Sequence, residues 1–250
     1  MIVRPHYLDE LKKYRDVPLV KILAGIRRCG KSTILDMLRE DLLANGVLPE
    51  QVIERRCTSL DLGDLPAAKD MYQDIKADLN AAGRNYLLLD EVQEIEGWEK
   101  AINSLLELGN TDIYVTGSNS KLMSSEISTY PTGRYVTIPV FPLSFEEYLT
   151  FKAGSSLSQK ELLNEYIRYG GFPIVALGTY DERTAYQIVE GIYHSVISND
   201  IARRHSITNQ ELFNRVVRFI IENVGKNFSA NSIVKFLKSE GRSLTVETIY

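Results

Sequence analysis

Cysteine, histidine and long apolar runs are scarce in this 250-residue sequence, and each scarcity removes a class of protein. Two cysteines, Cys29 and Cys57, cannot make the disulfide framework of a secreted scaffold, so a reducing compartment is expected. The three histidines, His6, His194 and His205, lack metal-ligand spacing among themselves and with the cysteines, which speaks against a zinc site. No segment approaches the roughly 18 apolar residues of a membrane span. The opening MIVRPHYLDELKKYRD carries charges where a secretory leader needs its apolar stretch, and the expectation is a cytoplasmic protein with no membrane contact. A surplus of one charge sign is also missing, since the 25% of charged residues sum to a net charge of −4. Nothing global advertises a nucleic-acid binder, although a local basic face can sit on an acidic protein.

What is present is an alternation of strand and helix patterns. LVKILAG, from Leu19, is a short apolar segment ending in glycine; in KSTILDMLREDLLAN, residues Ile34, Leu35, Leu38 and Leu42 share one helical face. An extended segment within Gln51 to Ser59, a helix from Ala67 to Asn80 and the apolar strand YLLLDE follow. WEKAINSLLELGN reads as a helix closed by Gly109 and Asn110, DIYVTGSNS as a strand, and TGRYVTIPV as a last strand stopped by Pro139 and Pro142. The pattern predicts an α/β fold with a parallel, doubly wound sheet, whose ligands bind beyond the carboxyl ends of the strands. Helical segments dominate after Pro142. The expected organisation is a P-loop core over residues 1–142, a helical lid over 143–208 and the start of a winged helix-turn-helix over 209–250. The chain stops at Tyr250, one turn into a helix capped by Thr245, so the sequence reads as a fragment of a longer protein.

The segment GIRRCGKST, Gly25 to Thr33, has the glycine-x4-glycine-lysine-serine spacing of a Walker A loop, between a strand and a helix as that loop requires. Glycines let backbone N–H groups curl around a phosphate, Lys31 supplies a mobile positive charge to the β- and γ-phosphates, and Ser32 can coordinate Mg²⁺. Ile26, Arg27, Arg28, Cys29 and Thr33 complete the lining, with the two arginines kept as lining residues only. Leu87-Leu88-Leu89-Asp90-Glu91 delivers two carboxylates at a strand end. Asp90 is placed to orient Mg²⁺ and Glu91 to polarise an attacking water. A third polar point is Thr116, Ser118 and Asn119 at the end of IYVTGSNS; Ser118 and Asn119 are the pair expected to sense the γ-phosphate, although such residues also simply end strands.

GIRRCGKSTIL, YLLLDEVQEIEGWEKAINSLLE, YVTGSNSKLMSSEISTYPTGRY and YGGFPIV together resemble the prokaryotic AAA-type (AAA+ superfamily) P-loop ATPases. That family carries a helical lid, a winged-helix section and often a C-terminal domain of unknown function. The resemblance implies Walker A at Gly25 to Thr33, Walker B at Asp90 and Glu91, and a sensor at Ser118 and Asn119. It further implies that Arg134 reaches a neighbouring subunit's γ-phosphate; a surface or intramolecular ion pair is the competing role. Gly171-Phe172-Pro173 resembles an element closing over adenine, or else a helix start with Pro173 in its first turn. Arg4, Pro5, His6 and Tyr7 are expected to line the adenine pocket from the other side. Cys29 departs from the small or aliphatic residue usual in the family. The favoured reading is a tolerated small side chain; the competing one is that the helix N-terminus lowers its thiol pKa, so that oxidation or alkylation blocks nucleotide binding.

These readings imply an enzyme that uses ATP and Mg²⁺ and releases ADP and phosphate, working on a protein partner, as a homo-oligomer if Arg134 acts in trans. A nucleotide-dependent switch with little turnover is the alternative, and a small-molecule kinase the third reading. DNA contact rests on Lys235, Lys238 and Arg242 in the helix-turn-helix, a module that also serves purely for packing; the basic stretch Ile201 to His205 reads as a solvated face. Trp98 is expected to anchor its helix against the core.

Overall fold

The computed structural model describes residues 2–58, 67–118, 133–197, 201, 207, 209–239 and 241. Five parallel strands make the sheet: β1 (Val20–Gly25), β2 (Val52–Arg56), β3 (Asn85–Asp90), β4 (Thr111–Ser118) and β5 (Tyr135–Pro139), in the order β2-β3-β4-β1-β5. The expected parallel α/β fold is therefore observed. Helices α1 (Pro5–Lys13), α2 (Lys31–Ala44), α3 (Ala68–Asp78) and α4 (Trp98–Glu107) cover it.

Strand side chains alternate between faces, and here both faces are apolar. Val20, Ile22 and Ala24 of β1 join Leu87, Leu89, Ile113 and Val115 in a core with residues of α3 and α4, including Trp98, which anchors its helix as expected. Leu23, Leu88 and Tyr114, one position out of phase, pack with Tyr7 and Leu11 of α1 and with Ile34, Leu35, Leu38 and Leu42 of α2. Burial on both sides is why these strands read as apolar runs and not as alternating patterns. Helix α1 has no counterpart in the sequence reading. Pro5 begins it, Lys12 and Lys13 occupy its last turn, and both features favour a helix.

One charged pair lies inside this apolar frame. Lys21 of β1 and Asp112 of β4 are both fully buried and form an ion pair. Asp112 also accepts from the Tyr114 hydroxyl at 2.9 Å and the Asp16 amide at 2.9 Å, while Lys21 donates to the Val17 carbonyl at 2.8 Å. The group tethers the strand beginnings to the loop that leads into β1.

A second set of helices follows: α5 (Phe145–Phe151), α6 (Gln159–Tyr169), α7 (Pro173–Leu177) and α8 (Glu182–Ser195). Ser144 and Ser158 form capping boxes with Glu147 and Glu161, and Asp181 caps α8, so three helix starts are written locally in the sequence. Leu143, Tyr148, Leu162 and Ala176 make their small core. Residues 1–196 form one compact unit and 197–250 another. In the second, α9 (Gln210–Glu222) and α10 (Ala230–Ser239) meet through Phe219, whose ring lies 4.9 Å from that of Phe236. Lys235 and Lys238 lie on α10. Arg242, the helix expected after Thr245, and the basic stretch apart from Ile201 lie outside the described residues. Among the described residues no helix is long and apolar enough to cross a membrane.

Asp112→Ala would leave the Lys21 ammonium buried without its carboxylate, and urea denaturation should register a loss of about 3–5 kcal/mol. A change below about 1 kcal/mol would mean that the pair is not desolvated as described.

Candidate phosphate-binding site

The site begins where β1 ends. A Cβ on Gly25 would lie 2.2 Å from the Val140 carbonyl oxygen and 2.8 Å from Cys29 Sγ, so only glycine lets the loop pass between β5 and its own returning turn. Arg28 (φ 65°) and Gly30 (φ 101°) adopt left-handed backbone, which bends residues 26–30 into a concave turn of the kind that presents amides to an anion. Gly30 is the N-cap of α2 and supplies no side-chain cap, so the helix start is served by no local side chain.

Lys31 is almost completely buried. Its ammonium donates to the Gly25 carbonyl at 3.0 Å and the Ile26 carbonyl at 3.2 Å, and lies 3.4 Å from Glu91 Oε1. The other Glu91 oxygen accepts from the Gln93 amide. Glu91 itself has left-handed backbone at φ 54°, uncommon for a non-glycine residue. Its amide is held at 2.9 Å by the Thr116 hydroxyl, which donates in turn to Asp90 Oδ1. The same Asp90 oxygen accepts from the Ser32 hydroxyl at 3.0 Å. One carboxylate thus joins the first turn of α2 to the ends of β3 and β4.

Ser32 and Asp90 are hard oxygen donors, the kind magnesium takes while keeping several waters. No group of three or more His, Cys, Asp or Glu side chains able to hold a metal occurs among the described residues.

A cavity of about 440 Å³ opens over this constellation. Arg28, Gly30, Lys31, Ser32, Thr33 and Glu91 form one wall, and the apolar Pro173, Ile174, Leu177 and Tyr180 face them with Gly178. Pro173, which lines this cavity, is also the first residue of α7. Gly171 is not in the lining. Its carbonyl accepts from the Leu143 amide at 2.6 Å, and a Cβ there would lie 2.2 Å from the Leu143 carbonyl oxygen.

Several expected positions fall elsewhere. Arg134 precedes β5, at the rim where strands begin, and its side chain pairs with Glu107 at 3.2 Å; the P-loop follows the rim where they end, so Arg134 does not reach the site of its own chain. Arg27 lies 3.8 Å from Glu94. Arg4 and Tyr7 do not line this cavity, and both are buried behind the loop. Ser118 pairs with Gly25 through the backbone register, while its side chain and all of Asn119 lie outside the described residues. Thr116 was legible as a polar strand end, but Gln93 carried no signal that would connect it to Glu91.

The Cys29 thiol runs against the helix-terminus argument. Its side chain is fully buried among Leu23, Ile34 and Val140, and desolvation pushes the thiol up despite the opposing charges of Lys31 and Arg4. Burial also pushes Cys57 up, to about 12, with the Asp90, Glu91 and Glu94 charges adding to it. Because both folded-state values lie above the unfolded ones, the fold is unaffected by these thiols below pH 9 and loses stability as pH rises above it, through about 12 for Cys57. At pH 8 the native thiols should react with iodoacetamide at least about tenfold more slowly than in urea; equal rates would contradict the burial.

A family model described as an AAA domain matches residues 18–149, more than half of the chain, and one for a domain of unknown function matches residues 160–248. The chain is 37% identical over 243 residues to an uncharacterized protein of Haemophilus influenzae, covering 96% of this chain and 60% of that protein. It is 31% identical over 241 residues to an uncharacterized protein of Methanocaldococcus jannaschii, covering 92% and 53% respectively. The chain therefore spans a little over half the length of these curated relatives. Among solved structures, AMPPCP-bound DnaA from Aquifex aeolicus is similar at 16% identity with a TM-score of 0.44, over 88% of this chain and 70% of that one. The nucleotide loop, its paired carboxylates and the β2-β3-β4-β1-β5 sheet make this a P-loop NTPase fold, and the chain belongs to the AAA-domain family.

Proposed function

We propose that this chain binds Mg-ATP in the cavity and hydrolyses it to drive a conformational change in a partner. The observation that carries the reading is the junction of Lys31, Ser32, Asp90, Thr116 and Glu91 in front of α2. In this reading Lys31 neutralises the β- and γ-phosphates, and Ser32 with Asp90 would hold magnesium. Magnesium, when bound, offsets charge on the transferring phosphoryl group. Glu91 accepts a proton from the attacking water and aims it in line, and Thr116 keeps both acidic residues in register. Ser118 and Asn119 sense the γ-phosphate, and Arg134 serves a neighbouring copy's site in a homo-oligomer. Pro173, with Gly171 fixing the turn before it, closes over the adenine as part of a helical lid assigned to residues 143–208; residues 209–250 are the start of a winged helix.

A specific observation also favours the slow switch. Both Glu91 oxygens are engaged, one beside Lys31 and one by Gln93, contacts that hold the carboxylate in place. Turnover then depends on whatever releases it, including a partner or a second copy.

Phosphate release and ATP binding should be measured on wild type, Lys31→Ala and Glu91→Gln over a range of protein concentrations. Glu91→Gln should bind ATP with turnover reduced by about 10²–10⁴-fold, and Lys31→Ala should lose binding. Activity per molecule that rises with concentration supports a shared site. Tight wild-type binding with negligible phosphate release at every concentration favours the switch.

A further inference from the structure

Arg4 lies behind the phosphate loop, outside the residues that line the cavity described above, yet its guanidinium is placed with unusual completeness. It is 4% exposed. Nε and Nη2 grip the two Glu147 oxygens at 2.8 and 2.9 Å, and Nη1 donates to the Cys29 carbonyl at 3.1 Å and the Phe141 carbonyl at 3.1 Å. The remaining Nη2 donor meets the Tyr7 hydroxyl at 3.5 Å, and the guanidinium stacks 4.5 Å from the Tyr7 ring. All five donors are used, which a lysine ammonium with three donors at one point cannot reproduce. One side chain thereby joins the segment before α1, the loop, the exit of β5 and helix α5.

The Cys29 contact matters most. Across a planar trans peptide the C=O and the following N–H point in opposite directions, and the chain has no cis peptide among the described residues. Holding the Cys29 oxygen from behind therefore turns the Gly30 N–H away from Arg4. Gly30 lines the cavity and caps α2, so this is an amide that a bound phosphate would need. A cation on the carbonyl also polarises the peptide and strengthens its N–H as a donor. The charge of Arg4 is matched by Glu147. Burial pushes that carboxyl up, but the Arg4 and Ser144 hydrogen bonds, with the Arg4 charge, outweigh it and hold it below its ordinary value. The pair is ionised at neutral pH, and what Arg4 gives the loop is geometry, not net charge.

We infer that Arg4 is a positioning residue for phosphate binding, presenting the Gly30 amide through its hold on Cys29 and fastening the loop to the helix that carries Glu147. The inference rests on the nucleotide-binding reading above. It is tested by titrating Mg-ADP, a ligand whose affinity is independent of turnover, into wild type, Arg4→Lys, Arg4→Met/Glu147→Met and Lys31→Ala, with melting temperatures recorded alongside. The double variant removes both charges of the pair, the buried guanidinium and the half-buried carboxylate, so a purely structural role predicts that it recovers ordinary affinity together with its fold. A positioning role predicts a folded protein that still binds about tenfold or more weakly. Arg4→Lys keeps the charge but not the fork, and should lose about as much affinity; it decides the matter if the double variant does not fold. Affinity within twofold of wild type in either folded variant overturns the inference. Loss of binding in Lys31→Ala with such retention leaves the nucleotide reading standing, whereas a wild type that does not bind Mg-ADP overturns that reading and the inference with it.

Discussion

The Asp90 carboxylate is the point on which the site depends. It accepts from Ser32 on α2 and from Thr116 on β4 while standing at the end of β3, so three elements far apart in sequence are fixed within one hydrogen-bond shell. A carboxylate accepting from hydroxyls makes strong, charge-assisted bonds, and these set the distance between the loop and the strand ends. The left-handed turn at Glu91 follows, since the Thr116 hydroxyl that donates to Asp90 also receives the Glu91 amide.

Charge inside the site is balanced before any ligand is considered. The buried Lys31 ammonium rests on two loop carbonyls and beside Glu91. An isolated buried ammonium would be expensive, and the carboxylate offsets that cost. A phosphate arriving here would compete with Glu91 for the same cation, so binding and release of the base are coupled through one ammonium group. The loop's concavity has a different origin: two left-handed residues, Arg28 and Gly30, and the close approach at Gly25.

The sequence was most informative where a feature is local. The loop was legible because its signature residues all fall between Gly25 and Thr33, and the strands because burial on both faces makes them uniformly apolar. The capping boxes at Ser144 and Ser158 are local in the same sense. What escaped depends on strand order and on distant partners. Thr116 acquires its role because β4 lies beside β3, a neighbour relation no spacing reports. Arg4 and Glu147 are 143 residues apart, and nothing in RPHY suggested a buried fork. Cys29 shows two physical effects in opposition: a helix N-terminus favours the thiolate, but full desolvation is the larger effect and wins.

Arg134 and the phosphate loop occupy opposite rims of the sheet, the first where β5 begins and the second where β1 ends. Five or six residues of extended chain separate the rims, about 17–20 Å. A neighbour standing level and parallel would keep its arginine that far from the loop. If Arg134 served a neighbour's site, one copy's strand beginnings would have to approach the next copy's strand ends, and such an assembly would have a direction. Repeated, such contacts close into a ring or run on as a helix, according to the turn made at each step.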